Sequence, residues 1–172
     1  DNFEIVELLL REMKIIDPNC FMKCKELSQL SIPSSISIIE KFAFAECSSL
    51  SQILIPSSIV IIKKYAFFAC TSLENVSFEI PSHISSISKF MFCKCTSLKE
   101  INIPPVVSIE KGAFEQCISL NKITIPSSVV FIGDKAFNNC SLLRQITFEN
   151  PSILTSIGKN TFEGCSSLTQ IT

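Results

Sequence analysis

A ten-residue phrase, Cys47-Ser-Ser-Leu50-Ser-Gln-Ile53-Leu-Ile55-Pro56, returns along this chain at nearly constant intervals. It recurs as Cys24-Lys-Glu-Leu27-Ser-Gln-Leu30-Ser-Ile32-Pro33 and as Cys117-Ile-Ser-Leu120-Asn-Lys-Ile123-Thr-Ile125-Pro126, with looser copies from Cys70, Cys95, Cys140 and Cys165. The seven cysteines stand 23, 23, 25, 22, 23 and 25 residues apart. Eight residues before each lies an isoleucine: Ile16, Ile39, Ile62, Ile87, Ile109, Ile132 and Ile157. Three before each lies Phe21, Phe44, Phe67, Phe92, Phe114, Phe137 or Phe162. Eleven before stand Met13, Ile36, Ile59, Ile84, Val106, Val129 and Leu154. A fixed period near 23 residues with apolar columns in phase demands a solenoid, because one repeat cannot bury its apolar side alone and stacked repeats can.

Within one repeat the alternation Gln52-Ile53-Leu54-Ile55 predicts a short strand with Ile53 and Ile55 inward. Pro56 has no N–H and ends the ladder. The β-branched run Ile59–Ile62 predicts a second extended segment. Residues 63–70 are expected to form about a turn and a half of α- or 3₁₀-helix, with Phe67 and Cys70 on its inner side. The two long repeats carry their extra residues at a corner, in Phe78-Glu-Ile-Pro81 and Phe148-Glu-Asn-Pro151, where length changes are tolerated.

The frame L-x-x-I-x-I-P-x-x-[VI]-x-x-I-x-x-x-A-F-x-x-C resembles the BspA-like type of the leucine-rich repeat superfamily over residues 16–172. The resemblance implies a curved solenoid whose parallel sheet lines one face and binds proteins or cells, as in bacterial adhesins and surface proteins of parasitic protists. It also implies a cell-surface or secreted location, with a cytoplasmic one as the alternative. An Ile-Gly step of that family is present only at Ile132-Gly133 and Ile157-Gly158, and Cys20, Met91 and Thr161 replace the alanine before phenylalanine. The asparagine ladder of ordinary leucine-rich repeats is missing. Ser35, Ser58 and Ser128 stand at the corner and are expected to bond backbone there.

Two segments result: residues 1–15 as an N-terminal cap and residues 16–172 as the repeat array. Asp1-Asn-Phe-Glu4 fits a capping box, and Ile5, Leu8, Leu9 and Met13 would line one helical face; a degenerate repeat is the alternative. The array stops within a strand at Ile171-Thr172, as a fragment would.

Nine cysteines invite disulfide or zinc arithmetic. Seven share one phase of the repeat, each with two equivalent neighbours, which favours reduced core thiols acting as small hydrophobes. Cys20, in an alanine column, is expected in the core. Cys93, two before Cys95, is expected to face outward as the reactive thiol. With no C-x-x-C pair and a single histidine, His83, the sequence predicts neither metal nor cofactor. Half of the 14 phenylalanines form one column, read as an aromatic spine inside the solenoid. A base-stacking platform would instead require outward rings beside basic residues.

Function must then come from the outer columns. The strand face presents Gln29 and Ser31, Gln52 and Leu54, Asn75 and Ser77, Glu100 and Asn102, Lys122 and Thr124, then Gln145 and Thr147, with Arg144 beside them. These residues suit a hydrogen-bonding surface for a protein or host-surface ligand, and equally an ordinary solvated strand face. Six before the cysteines stand Lys41, Lys64, Lys89, Lys111 and Lys159, with Lys135 filling the gap. Stacking aligns them into a basic stripe suited to a sulfated glycan or other polyanion, or into a solvated turn balanced by Glu40, Glu110 and Asp134. The net charge of −1 gives no long-range attraction to nucleic acid. No run approaches the ~18 apolar residues of a membrane helix. Asn75-Val-Ser77 and Asn139-Cys-Ser141 fit the N-glycosylation triplet, which arises easily in a serine-rich chain. No nucleophile–base pair, carboxylate dyad or phosphate loop stands out. The reading is a non-enzymatic binding module, with a structural or oligomerising scaffold acting through the solenoid ends, or a sensor region of a larger protein, as alternatives.

Overall fold

The computed structural model describes residues 7–172, which wind into a solenoid of parallel coils. The first turn of the described chain, 7–10, is helical. The capping box and Ile5 lie outside the described residues. Leu10 is the residue that enters the core, while Leu8, Leu9 and Met13 face solvent. The expected face of Leu8, Leu9 and Met13 is therefore corrected: the turn ends at Leu10, too early for that periodicity to be used.

The strands lie in two lines along the solenoid, each divided into two hydrogen-bonded sheets, and the first coil supplies a strand to one line only. The first runs through β1 (Ile15–Ile16), β2 (Ile38–Ile39) and β4 (Ile61–Ile62), and continues in β6 (Ser86–Ile87), β8 (Ser108–Ile109), β10 (Phe131–Ile132) and β12 (Ser156–Ile157). The second is formed by β3 (Gln52–Ile55), β5 (Asn75–Phe78) and β7 (Glu100–Ile101), then by β9 (Lys122–Ile125), β11 (Gln145–Phe148) and β13 (Gln170–Ile171). The Asn102–Thr124 bridge joins its two halves. All pairings are parallel and join equivalent positions, so Ile53 aligns with Val76 and Ile123 with Ile146. Pro56 ends β3 as its missing donor requires.

The stretch expected to be helical is instead a chain of tight turns. In the first coil the N–H groups of Cys20, Met22 and Cys24 return to carbonyls three residues back. Those of Asn19, Phe21 and Lys23 reach across to Lys41, Ala43 and Ala45 of the next coil. The alternation is possible because two residues in each coil, five and one before the cysteine, take left-handed φ near 60°. A helix would spend every N–H within the coil; this arrangement shares them with the neighbour and extends the coil-to-coil ladder.

The interior columns are buried through the middle coils as their phase predicts, while Met13 and Ile157 in the outermost described coils are exposed. Phe44, Phe67, Phe92, Phe114 and Phe137 are fully enclosed. Their rings stack at centroid separations of 5.2 to 5.6 Å, with Phe21 and Phe162 extending the spine at either end. Cysteine fills its column for a second reason besides size. The Sγ of Cys47, Cys70, Cys95, Cys117, Cys140 and Cys165 each donates to the carbonyl of the column phenylalanine one coil back, at 3.0 to 3.2 Å. The corner serines act similarly: Ser35, Ser58 and Ser128 donate to Leu10, Ile36 and Val106.

Two cysteine assignments reverse. Cys93 is buried and its thiol is pushed up to about 12 by desolvation, with Glu115 adding to the shift. Cys20 is exposed, although Ala43, Ala66 and Ala113 in the same column are enclosed. Desolvation and then Asp17 still raise the Cys20 thiol. Alkylation of the native protein at neutral pH is expected to modify Cys20 first and to leave Cys93 intact until unfolding. Peptide mapping of the labelled chain tests this, and early modification of Cys93 would contradict the burial.

Candidate strand-face binding site

Alternation places every second residue of the second sheet on one outer surface, and parallel registration arranges these residues in rows. Gln52, Asn75 and Glu100 form one row, and Lys122 and Gln145 continue it. Leu54 aligns with Ser77, and Asn102 with Thr124 and Thr147. Gln29 and Ser31 lie exposed on the first coil, and Arg144 lies exposed beside Gln145; Gln145 and Thr147 are half-buried. All thirteen face residues therefore belong to one continuous surface.

Two ion pairs cross its centre, Lys99–Glu74 at 2.7 Å and Lys122–Glu100 at 3.0 Å. Both are well exposed, so each contributes no more than about 1 kcal/mol. Their main effect is to neutralise the middle of the face. On the first coils an open hollow of about 580 Å³ is lined by Gln29, Ser31, Gln52, Leu54, Asn75 and Ser77, with Glu7 at its rim. Glu7 Oε1 accepts the Ser31 N–H at 2.8 Å and so ties the helical turn to the first coil. Sequence reasoning missed Glu7 because it precedes the repeat register. On the later coils a hollow of about 460 Å³ lies among Ser119, Asn121, Lys122, Leu142, Arg144 and Gln145. Leu142, half exposed there, was also missed: it stands two after its cysteine, where the other coils carry Ser or Glu.

The basic column lies half a repeat away in sequence. Lys41, Lys64, Lys89, Lys111 and Lys159 are all exposed. Lys135 is exposed one position further along, at a left-handed residue. Asn75 and Asn139 of the two glycosylation triplets are exposed as well. Among the described residues no group of His, Cys, Asp or Glu could hold a metal ion, and no helix is long and apolar enough to cross a membrane.

A profile described as a BspA type leucine rich repeat region matches residues 14–144 and 100–172, in six copies. The chain belongs to the BspA-type leucine-rich repeat family. Three solved structures are similar to it. A leucine-rich repeat protein from Bacteroides ovatus is 26% identical with a TM-score of 0.73, covering 94% of this chain and 52% of its own length. A leucine rich cell surface protein from Faecalibacterium prausnitzii is 30% identical with a TM-score of 0.61, covering 84% of this chain and 32% of its own. The T. pallidum leucine rich repeat protein is 28% identical with a TM-score of 0.67, covering 83% of this chain and 75% of its own. No curated protein matches the sequence significantly. This leucine-rich repeat chain thus spans about half the Bacteroides ovatus protein and about a third of the Faecalibacterium prausnitzii one.

Proposed function

We propose that this leucine-rich repeat chain is a non-catalytic binding module that holds an extended protein partner along its strand face at a cell surface. The observation that carries this reading is the face itself: rows of amides and hydroxyls in register, with a hollow at each end and the charges between them paired. An extended segment would meet regularly spaced hydrogen-bonding groups, with Leu54 and Leu142 offering apolar contact, and Arg144 the residue type most favoured at binding hot spots. The similarity to a leucine rich cell surface protein supports the location. Gln52→Arg with Asn75→Arg would place two charges in the first hollow. Binding to immobilised extracellular-matrix proteins, followed by interferometry, is expected to weaken at least about tenfold. Affinity equal to wild type would remove the face from the function.

A further inference from the structure

The turn segments carry a second aromatic ladder, outside the core. Phe42, Tyr65 and Phe90 occupy the same position in three consecutive coils and stack at 4.7 and 4.9 Å, nearly parallel. They are half-buried, and all three have left-handed φ, between 55° and 62°. Bulky L residues rarely adopt that conformation, and Asn19, Gly112, Lys135 and Asn160 hold the position in the other coils.

The residue before each ring is an exposed lysine, Lys41, Lys64 and Lys89, and Lys111 follows in the next coil. Backbone bonds from Tyr65 N–H to the Lys89 carbonyl and from Phe90 N–H to the Lys111 carbonyl hold this column in step. Adjacent lysines are therefore about one strand spacing apart, ~4.8 Å. That is shorter than the Debye length of about 8 Å at physiological salt, so their charges act together. Among the described residues the ion pairs engage Lys23, Lys63, Lys99 and Lys122, and none engages a lysine of this column. Glu40, in the preceding column, is paired with Lys63, and Asp134 accepts the backbone N–H of Lys159. Glu110, half-buried beside Lys111, also stands in that preceding column.

We propose that Lys41, Lys64, Lys89 and Lys111, with the Phe42–Tyr65–Phe90 ladder, bind a linear anionic polysaccharide running across the coils. The rings meet one another face to face, and Phe90 lies where a Cβ on Gly112 would stand. Their edges are left to the outside, and ring edges carry the positive part of the aromatic quadrupole, which favours anions. The same stacking covers both faces of Tyr65 and so closes the middle ring to a nucleic-acid base. The coil spacing of ~4.8 Å differs from the ~3.3 Å per residue of an extended peptide, but it is close to the length of one pyranose unit. One sugar residue therefore advances past each lysine, and sulfate or carboxylate groups on successive sugars meet successive charges. This ligand and surface are separate from the strand face and its protein partner.

Titration calorimetry with a size-defined heparin octasaccharide tests the assignment. Lys64→Gln with Lys89→Gln is expected to weaken binding about tenfold or more and to reduce its salt dependence. Lys99→Gln with Lys122→Gln makes the same change in net charge on the strand face and is expected to leave binding within about twofold. Tyr65→Asn introduces a residue type already found at this position, keeps the charge, and is expected to weaken binding several-fold. Circular dichroism melts of all variants matching wild type confirm that the solenoid is intact. Absence of octasaccharide binding, equal loss in both double variants, unchanged binding by Tyr65→Asn, or tighter binding of polyglutamate or a single-stranded oligonucleotide would each overturn the proposal.

Discussion

Alkali is expected to unfold this solenoid cooperatively between about pH 9 and 11, well before most of its buried thiols would ionise in the native fold. Six cysteines are enclosed: Cys47, Cys70, Cys93, Cys95, Cys117 and Cys140. Desolvation pushes Cys47 and Cys93 up to about 12 and raises Cys70, Cys95, Cys117 and Cys140 at least as clearly. In the unfolded chain each thiol ionises near its ordinary value of about 8.5. A raised native pKa means that the fold binds the proton more tightly, so this stabilisation is complete below about pH 8.5 and disappears as pH rises. Once the unfolded thiols are ionised, each contributes a loss of about 1.4 kcal/mol per pH unit. Six together approach about 8 kcal/mol per unit, against a typical total stability of about 5–15 kcal/mol. Melting curves recorded under reducing conditions across this range provide the measurement. Stability that stays level to about pH 11 would mean that the thiols titrate alike in both states. Cys70→Ala with Cys117→Ala should flatten the dependence even while lowering stability at neutral pH, because two linked protons and two thiol hydrogen bonds are removed.

The second large effect is expected in the spine. Phe92→Ala should cost about 3–5 kcal/mol, the range for a fully enclosed aromatic side chain. Phe92 stacks on Phe67 on one side and Phe114 on the other, each at 5.6 Å. Phe162→Ala should cost roughly half as much, since that ring is only partly buried and is stacked on Phe137 alone among the described aromatics. Because each coil contacts its neighbours only, the central substitution should also weaken the coupling between the two ends of the array. Urea denaturation would then show a lower midpoint and a broader or divided transition for Phe92→Ala. Equal costs at the two positions would argue against a continuous spine.

The strand face was readable because alternation requires no tertiary information: once Ile53 and Ile55 point inward, Gln52 and Leu54 must point out. The phenylalanine and cysteine columns were readable for the same reason, each repeated seven times in phase. Errors gathered in the turn segment. There a helical periodicity put Cys93 outside, whereas the alternating turns carry it inward. Of the fourteen left-handed positions only Gly112 and Gly164 are glycine, so residue identity did not reveal the backbone at the other twelve. The outer aromatic ladder escaped notice because its column holds aromatics in only three coils, with Asn, Gly or Lys elsewhere. Cys20 shows the opposite limit. Its column is enclosed at Ala43, Ala66, Met91, Ala113, Ala136 and Thr161, while Cys20 at the same phase is exposed, a difference that residue type alone does not announce.

The sequence by itself determined the period, the stacking of coils and the inward columns, because apolar side chains repeated at one phase have no other way to leave water together. The tertiary structure decided what the period left open. It placed tight turns where a helix was expected, since left-handed residues release alternate N–H groups to the neighbouring coil. It also stacked Phe42, Tyr65 and Phe90 beside the lysine column that the period had already aligned, because ring contacts depend on distances between coils rather than on order along the chain.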